Sequence, residues 1–183
     1  MGCGIAQVAA QSGYEVILQN RRQESVDRGL ATLRKNLERL LAKDKLTQTQ
    51  CAEALALVRG AVPLAELKGC DIVIESAPED LALKQSLFEA LDPILGDNAV
   101  IATNTSSLSV TKLASFVSRP GHFVGMHFFN PVPAMKLVEL VKGYRTTSDT
   151  VARVRTFAEA LGKLPIEVKD APGFVVNRVL FPM

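Results

Sequence analysis

Two hydrophobic rhythms alternate along this chain. Short runs rich in β-branched residues, "YEVILQ" (14–19), "CDIVIES" (70–76), "NAVIATN" (98–104), "HFVGMHF" (122–128) and "MKLVELV" (135–141), read as strands. The central runs are apolar throughout instead of at alternate positions, which predicts strands buried on both faces. Longer stretches between them repeat at the helical period. In "ESVDRGLATLRKNLERLLAK", Val26, Leu30, Leu33, Leu37, Leu40 and Leu41 recur at spacings of three and four with Arg and Lys opposite, so an amphipathic helix is expected. A second helix should begin at Thr47, because Thr47 and Gln50 have capping-box spacing. Further helices fit "LALKQSLFEAL" (81–91) and "DTVARVRTFAEALG" (149–162), the last closed by Gly162. Strands alternating with helices imply a mostly parallel sheet with helices on both faces.

The opening, "MGCGIAQVAAQSGYEVILQN", is a run of small residues that reads as a helix packed tightly on a sheet, followed by a glycine turn and a strand. The strand that should precede this helix is expected to be missing before Met1. At the other end, "DAPGFVVNRVLFPM" puts Pro172 where a first helical turn tolerates it, with an apolar stretch behind. The chain is therefore expected to be truncated at both ends. No internal repeat, linker or low-complexity tract interrupts it.

Composition sets limits. At 183 residues the chain suits one domain, or one with part of another. The 21 basic and 19 acidic residues nearly balance at +2, which gives no global reason to expect nucleic acid or an anionic membrane as partner. Cys3, Cys51 and Cys70 are scattered, without metal-type pairing or a disulfide framework, so plain thiols and no metal site are expected. No basic-then-apolar stretch opens the sequence, so no secretory leader is expected, and no apolar run comes near the roughly 18 residues a bilayer span requires. The expectation is a soluble, cytoplasmic protein.

The candidate chemistry begins in "MHFFNPVPAMKLVEL" (126–140). Its two prolines force a turn, and if that turn is centred on Pro133, His127 and Glu139 face one another across an antiparallel pair. Facing Cβ atoms lie about 5 Å apart, close enough for the carboxylate to fix one imidazole tautomer and leave the other nitrogen as a base. A purely structural histidine beside a rim glutamate is the competing reading.

Next, Thr103, Asn104, Thr105, Ser106 and Ser107 in "ATNTSSLSV" follow a buried strand and so lie at the carboxyl end of the sheet, where ligands of open α/β sheets bind. They orient a substrate oxygen or cofactor amide, or else Thr105 and the serines cap the helix beginning near Val110. No Gly-x-Ser-x-Gly elbow surrounds the serines, which argues against a serine hydrolase.

"MGCGIA" fits the end of a glycine-rich phosphate loop, with Gly2 its last glycine. In dinucleotide sites the residue ending the next strand reads the ribose: an acid binds the 2′-hydroxyl, and nearby arginine accommodates a 2′-phosphate. Here Asn20, Arg21 and Arg22 stand there, which admits NADP beside NAD, or else forms a solvated basic turn. Asn177, near the start of the terminal apolar stretch, reads locally as a hydrogen-bonding residue.

Taken together, "MGCGIAQVAAQSGYEVIL", "DIVIESAPEDLALKQSLF", "NTSSLSVTKLA", "GMHFFNPVPAMKLVELV" and "KDAPGFVVNRVL" resemble the L-3-hydroxyacyl-CoA dehydrogenases, especially the bacterial 3-hydroxybutyryl-CoA dehydrogenases. The resemblance runs from the first residue to the last. It implies an α/β, Rossmann-like doubly wound sheet, mostly parallel, with an antiparallel hairpin near 122–141. It also implies an NAD(P)-binding domain over 1–171 that lacks its first strand, and the start of a C-terminal helical domain over 172–183.

By the same resemblance His127 and Glu139 are the catalytic pair, Ser106 contacts the substrate hydroxyl, and Asn177 helps hold the acyl thioester. Glu79, Lys84, Asn104 and Asn130 fall on positions around the nicotinamide cofactor. Arg39, Lys43 and Lys45 would meet the phosphates of coenzyme A, Lys43 first among them.

The implied activity is reversible oxidation of (S)-3-hydroxyacyl-CoA in fatty acid metabolism, β-oxidation included. The implied assembly is a homodimer made through the missing helical domain. The acidic ribose ligand of the family is replaced by Asn20. Competing readings are an L-gulonate 3-dehydrogenase of the lambda-crystallin type, acting on a free sugar acid, and a non-catalytic nucleotide-binding fragment.

Overall fold

A computed structural model describes residues 1–180. The chain forms two compact units, one of Met1–Leu67 with Asn130–Ala134 and one made of the rest of the described chain. In the first, α1 (Gly2–Gln11), β1 (Val16–Gln19), α2 (Gln23–Leu41), α3 (Gln48–Ala56) and β2 (Val58–Ala61) follow one another, and β1 pairs with β2 in parallel. The small residues of α1 explain its packing: Ala6 and Ala10 join Leu33, Leu37, Cys51 and Ala54 in one buried cluster. Cys51 is thus a core side chain. Gly13, at φ +85°, makes the turn from α1 into β1.

The Thr47 hydroxyl accepts the Gln50 N–H at 3.1 Å while the Gln50 side chain accepts the Thr47 N–H at 2.9 Å, closing the expected capping box of α3.

The second unit holds a five-stranded sheet in the order β3 (Ile72–Glu75), β4 (Val100–Thr103), β5 (Phe123–Phe128), β6 (Leu137–Lys142), β7 (Leu164–Lys169). All neighbours are parallel except β5 and β6. The connecting helices are α4 (Leu81–Leu91), α5 (Val110–Ala114) and α6 (Ser148–Ala160), and α7 (Val176–Leu180) follows β7. Every residue of β4 and β5 is buried, as continuous apolar runs require. Phe88 of α4 meets Phe123 of β5 edge to face, with ring centroids 5.0 Å apart. Among the described residues no helix is long and apolar enough to cross a membrane.

Two strands escape the hydrophobic pattern. β2 reads Val-Arg-Gly-Ala and β7 contains Pro165, Glu167 and Lys169, because each lies at a sheet edge where polar residues and proline are tolerated. The C-terminal reading is also corrected. Pro172 does not open a helix; it lies in a turn completed by Gly173 (φ +74°) and Phe174 (φ +50°), and α7 starts only at Val176. The final positions of the expected helical start, 181–183, lie outside the described residues.

Gly125 shows how closely β5 is packed. A Cβ there would lie 2.7 Å from Val141 Cβ and 2.9 Å from Val110 Cγ2. Both neighbours are rigid and buried, so Gly125→Ala is expected to cost about 1–3 kcal/mol, read as a lower urea midpoint. An unchanged midpoint would show that β5 can move away from β6.

Candidate active site

The hairpin register comes out as the turn position requires, with His127 of β5 opposite Glu139 of β6. Their side chains meet, His127 Nδ1 standing 2.8 Å from Glu139 Oε2. The other oxygen of Glu139 accepts the N–H groups of Val175 and Val176 at 3.0 and 2.9 Å. A fully buried carboxylate thus has three donors, which is what holding a charge away from water demands. Since a carboxylate only accepts, Nδ1 is the nitrogen that donates to it, and in a neutral imidazole so held Nε2 is the acceptor. Phe129 and Phe174 flank the imidazole, with centroids 4.5 and 5.6 Å from it. The arrangement is a histidine held in one tautomer, with its basic nitrogen turned away from the acid.

A second cluster forms at the carboxyl ends of β3 and β4. Glu79 Oε1 gathers five donors: the Thr105 hydroxyl at 2.5 Å, the Ser106 N–H at 2.7 Å and hydroxyl at 3.2 Å, and the Ser107 N–H at 3.1 Å and hydroxyl at 3.2 Å. Burial works against its charge. The hydrogen bonds from Thr105, Ser106 and Ser107 and the nearby Lys84 ammonium outweigh that, so its carboxyl titrates below the ordinary range.

The ammonium of Lys84 is itself buried. It lies 2.6 Å from Glu75 Oε1, 3.3 Å from the Ala77 carbonyl and 3.5 Å from Glu79 Oε2. Glu75 also accepts the Ala77 N–H at 2.5 Å and the Thr103 hydroxyl at 2.7 Å. Asn104 ties two strand ends, donating to Ser76 Oγ at 3.1 Å and accepting the Phe128 N–H at 2.8 Å.

The helix-cap alternative for Thr105, Ser106 and Ser107 does not hold for α5. Ser109, not these residues, caps α5 by accepting the Lys112 N–H. Asn177 reaches the same turn, its Nδ2 donating to the Ser106 carbonyl at 3.1 Å.

Segment 170–177 therefore touches the site at several points. At its start Asp170 accepts the Ser109 hydroxyl at 2.8 Å and the N–H groups of Val110 and Thr111 at 3.1 and 2.8 Å. Burial opposes its charge, but hydrogen bonds from Thr111, Ser109 and Val110 prevail and hold the carboxyl below the usual value. A depressed folded-state value means that its stabilisation is fully present above the ordinary carboxylate range and is lost as pH falls through the folded value. Asp170→Asn should therefore flatten the acid side of the stability curve below about pH 4, followed by urea unfolding. An unchanged acid slope would remove Asp170 from the acid response.

Residues 1–171 match the family described as 3-hydroxyacyl-CoA dehydrogenase, NAD binding domain. The chain belongs to this family. It is 44% identical over all 183 residues to a 3-hydroxybutyryl-CoA dehydrogenase of Clostridioides difficile, of which it spans 65%. It is 40% identical over 182 residues to the fatty acid oxidation complex subunit alpha of Psychrobacter sp., spanning 25% of that protein. The crystal structure of (S)-3-hydroxybutyryl-CoA dehydrogenase from Ralstonia eutropha matches with a TM-score of 0.96 at 49% identity, over 98% of this chain and 64% of the other. The chain thus spans less than two thirds of these relatives' length. It has the Rossmann-like α/β fold of 3-hydroxyacyl-CoA dehydrogenases, with a mostly parallel sheet.

In the first unit of this 3-hydroxyacyl-CoA dehydrogenase domain stand the remaining candidates. Gly2 opens α1, whose N-cap, Met1, supplies no side-chain cap. First-turn N–H groups without a side-chain acceptor suit a pyrophosphate. Asn20 follows β1, with its N–H on the Ala61 carbonyl at 3.1 Å, and Arg21 and Arg22 are exposed beside it. Helix-start amides, a neutral amide and two guanidiniums form a donor set that fits an anionic nucleotide. Arg39, Lys43 and Lys45 are exposed at the end of α2, and Asn130 is exposed before a cis bond to Pro131.

Sequence reasoning missed Glu75, Asp170, the Val175 and Val176 amides and the two phenylalanines. Only Glu75 carries a local signal, as an acid ending an otherwise apolar strand.

Proposed function

We propose that the protein carrying this chain reversibly oxidises (S)-3-hydroxyacyl-CoA to 3-oxoacyl-CoA with a nicotinamide cofactor. The observation that supports it most is the buried His127–Glu139 pair with Nε2 left as acceptor. His127 Nε2 takes the hydroxyl proton of the substrate. Glu139 holds the ring in place and stabilises the imidazolium that results. Ser106 orients the substrate hydroxyl, and Asn177 supports the thioester and the Ser106 turn. When bound, the cofactor accepts the hydride that leaves carbon 3.

Gly2, Asn20, Arg21 and Arg22 are assigned to the cofactor's nucleotide, and Asn104, Asn130 and Glu79 to its nicotinamide end. Lys84 acts from behind Glu79, because its side chain is only 1% exposed. Lys43, with Arg39 and Lys45, is assigned to the phosphates of coenzyme A. NAD is the cofactor of this reading, and the absence of an acid at Asn20 leaves room for the 2′-phosphate of NADP.

Residues 1–171 form the NAD(P)-binding domain in this reading, and residues 172–183 begin a helical domain that makes a homodimer. A place in fatty acid oxidation accords with the name of the Psychrobacter relative, and a cytoplasmic location belongs to the same reading.

The deciding assay follows oxidation of (S)-3-hydroxybutyryl-CoA at the nicotinamide absorbance, with NAD and NADP in parallel and L-gulonate as competitor substrate. Turnover of the acyl-CoA is expected. Turnover of L-gulonate alone would replace this reading by the sugar-acid dehydrogenase. Asn20→Asp should lower the use of NADP relative to NAD; an unchanged ratio would take Asn20 out of the ribose site.

A further inference from the structure

Behind Glu79, Lys84 forms a buried ion pair with Glu75. Both side chains are 1% exposed. An ion pair taken out of water gains little over two apolar residues of the same size, so its presence in a core calls for a reason other than stability. The surroundings supply one. Glu75 is saturated by Lys84, Ala77 and Thr103, which anchors the ammonium at the base of the turn leading into α4. From there the ammonium stands 3.5 Å from Glu79 Oε2. The opposite oxygen of Glu79 collects the N–H and hydroxyl groups of Ser106 and Ser107.

We propose that the buried Glu75–Lys84 pair is a positioning device for Ser106. It aims the carboxylate of Glu79 at the 105–107 turn, and that carboxylate holds the turn. Glu75 and Lys84 touch neither substrate nor cofactor and act through Glu79. The catalytic part of this proposal rests on the dehydrogenase reading, whereas the ordering of the turn does not.

The test is the double variant Glu75→Gln with Lys84→Met. The glutamine oxygen can still accept the Ala77 N–H and its amide can donate to Thr103, while methionine fills the lysine's channel without charge. The expected result is an unfolding midpoint close to wild type, with Ser106 and Ser107 amides exchanging at least about tenfold faster with deuterated solvent. Turnover should fall by about 10²-fold, as an ångström-scale misplacement of an orienting group does.

Unchanged exchange in the folded variant would overturn the proposal. So would faster exchange with undiminished turnover. If the double variant does not fold, Glu75→Asp keeps the charge but shortens its reach, and must speed the same exchange; wild-type exchange there also overturns the idea. Wild-type protein inert toward acyl-CoA would sink the dehydrogenase reading alone, since the exchange measurement requires no substrate.

Discussion

Glu139→Gln is expected to lower turnover by roughly 10³- to 10⁴-fold while leaving cofactor affinity nearly unchanged. The reason lies in how the carboxylate is shared. One oxygen accepts the Val175 and Val176 N–H groups and the other accepts from His127 Nδ1. A glutamine has one acceptor and one donor end, and two backbone N–H groups claim the acceptor. Its NH₂ is then turned on His127 Nδ1, which can meet it only by giving up its hydrogen. The proton moves to Nε2, and the base is lost through the wrong tautomer while the fold remains. His127→Ala is the control, since it removes the base outright. Steady-state turnover, a cofactor titration and the ¹⁵N shifts of His127 check the argument. A loss below tenfold, or an equal loss of cofactor affinity, would refute it.

Lys84→Met alone is expected to cost about 3–5 kcal/mol of stability, because it strands a buried carboxylate without its counter-charge. Glu75 keeps its bonds to Ala77 and Thr103, but two neutral donors do not replace an ammonium at 2.6 Å. Against a typical total of about 5–15 kcal/mol this is a large fraction. The companion change Glu75→Gln removes the stranded charge and should restore most of the loss. Urea unfolding of the two single variants and the double forms a cycle that isolates the pair. A cost below 1 kcal/mol for Lys84→Met would mean that water reaches Glu75.

Much of this was legible in the sequence because it depends on local periodicity. The helices at 81–91 and 149–162, the capping box at Thr47 and the buried strands follow from spacing alone, since side-chain direction repeats at 3.6 or 2 residues. The facing of His127 and Glu139 was legible for the same reason. A hairpin's register is set by its turn, and a turn at Pro133 aligns His127 with Glu139. Edge strands were not legible, because their exposed side carries no apolar requirement.

What only the tertiary structure decided is who shares each charge. Glu79 meets Ser106 across 27 positions, Asn177 meets the same residue across 71, and Glu139 finds its second and third donors 36 and 37 positions downstream. No periodicity links such pairs. They form because a buried carboxylate must find donors wherever the fold brings them, and the strand ends and the 170–177 segment are where this fold does so.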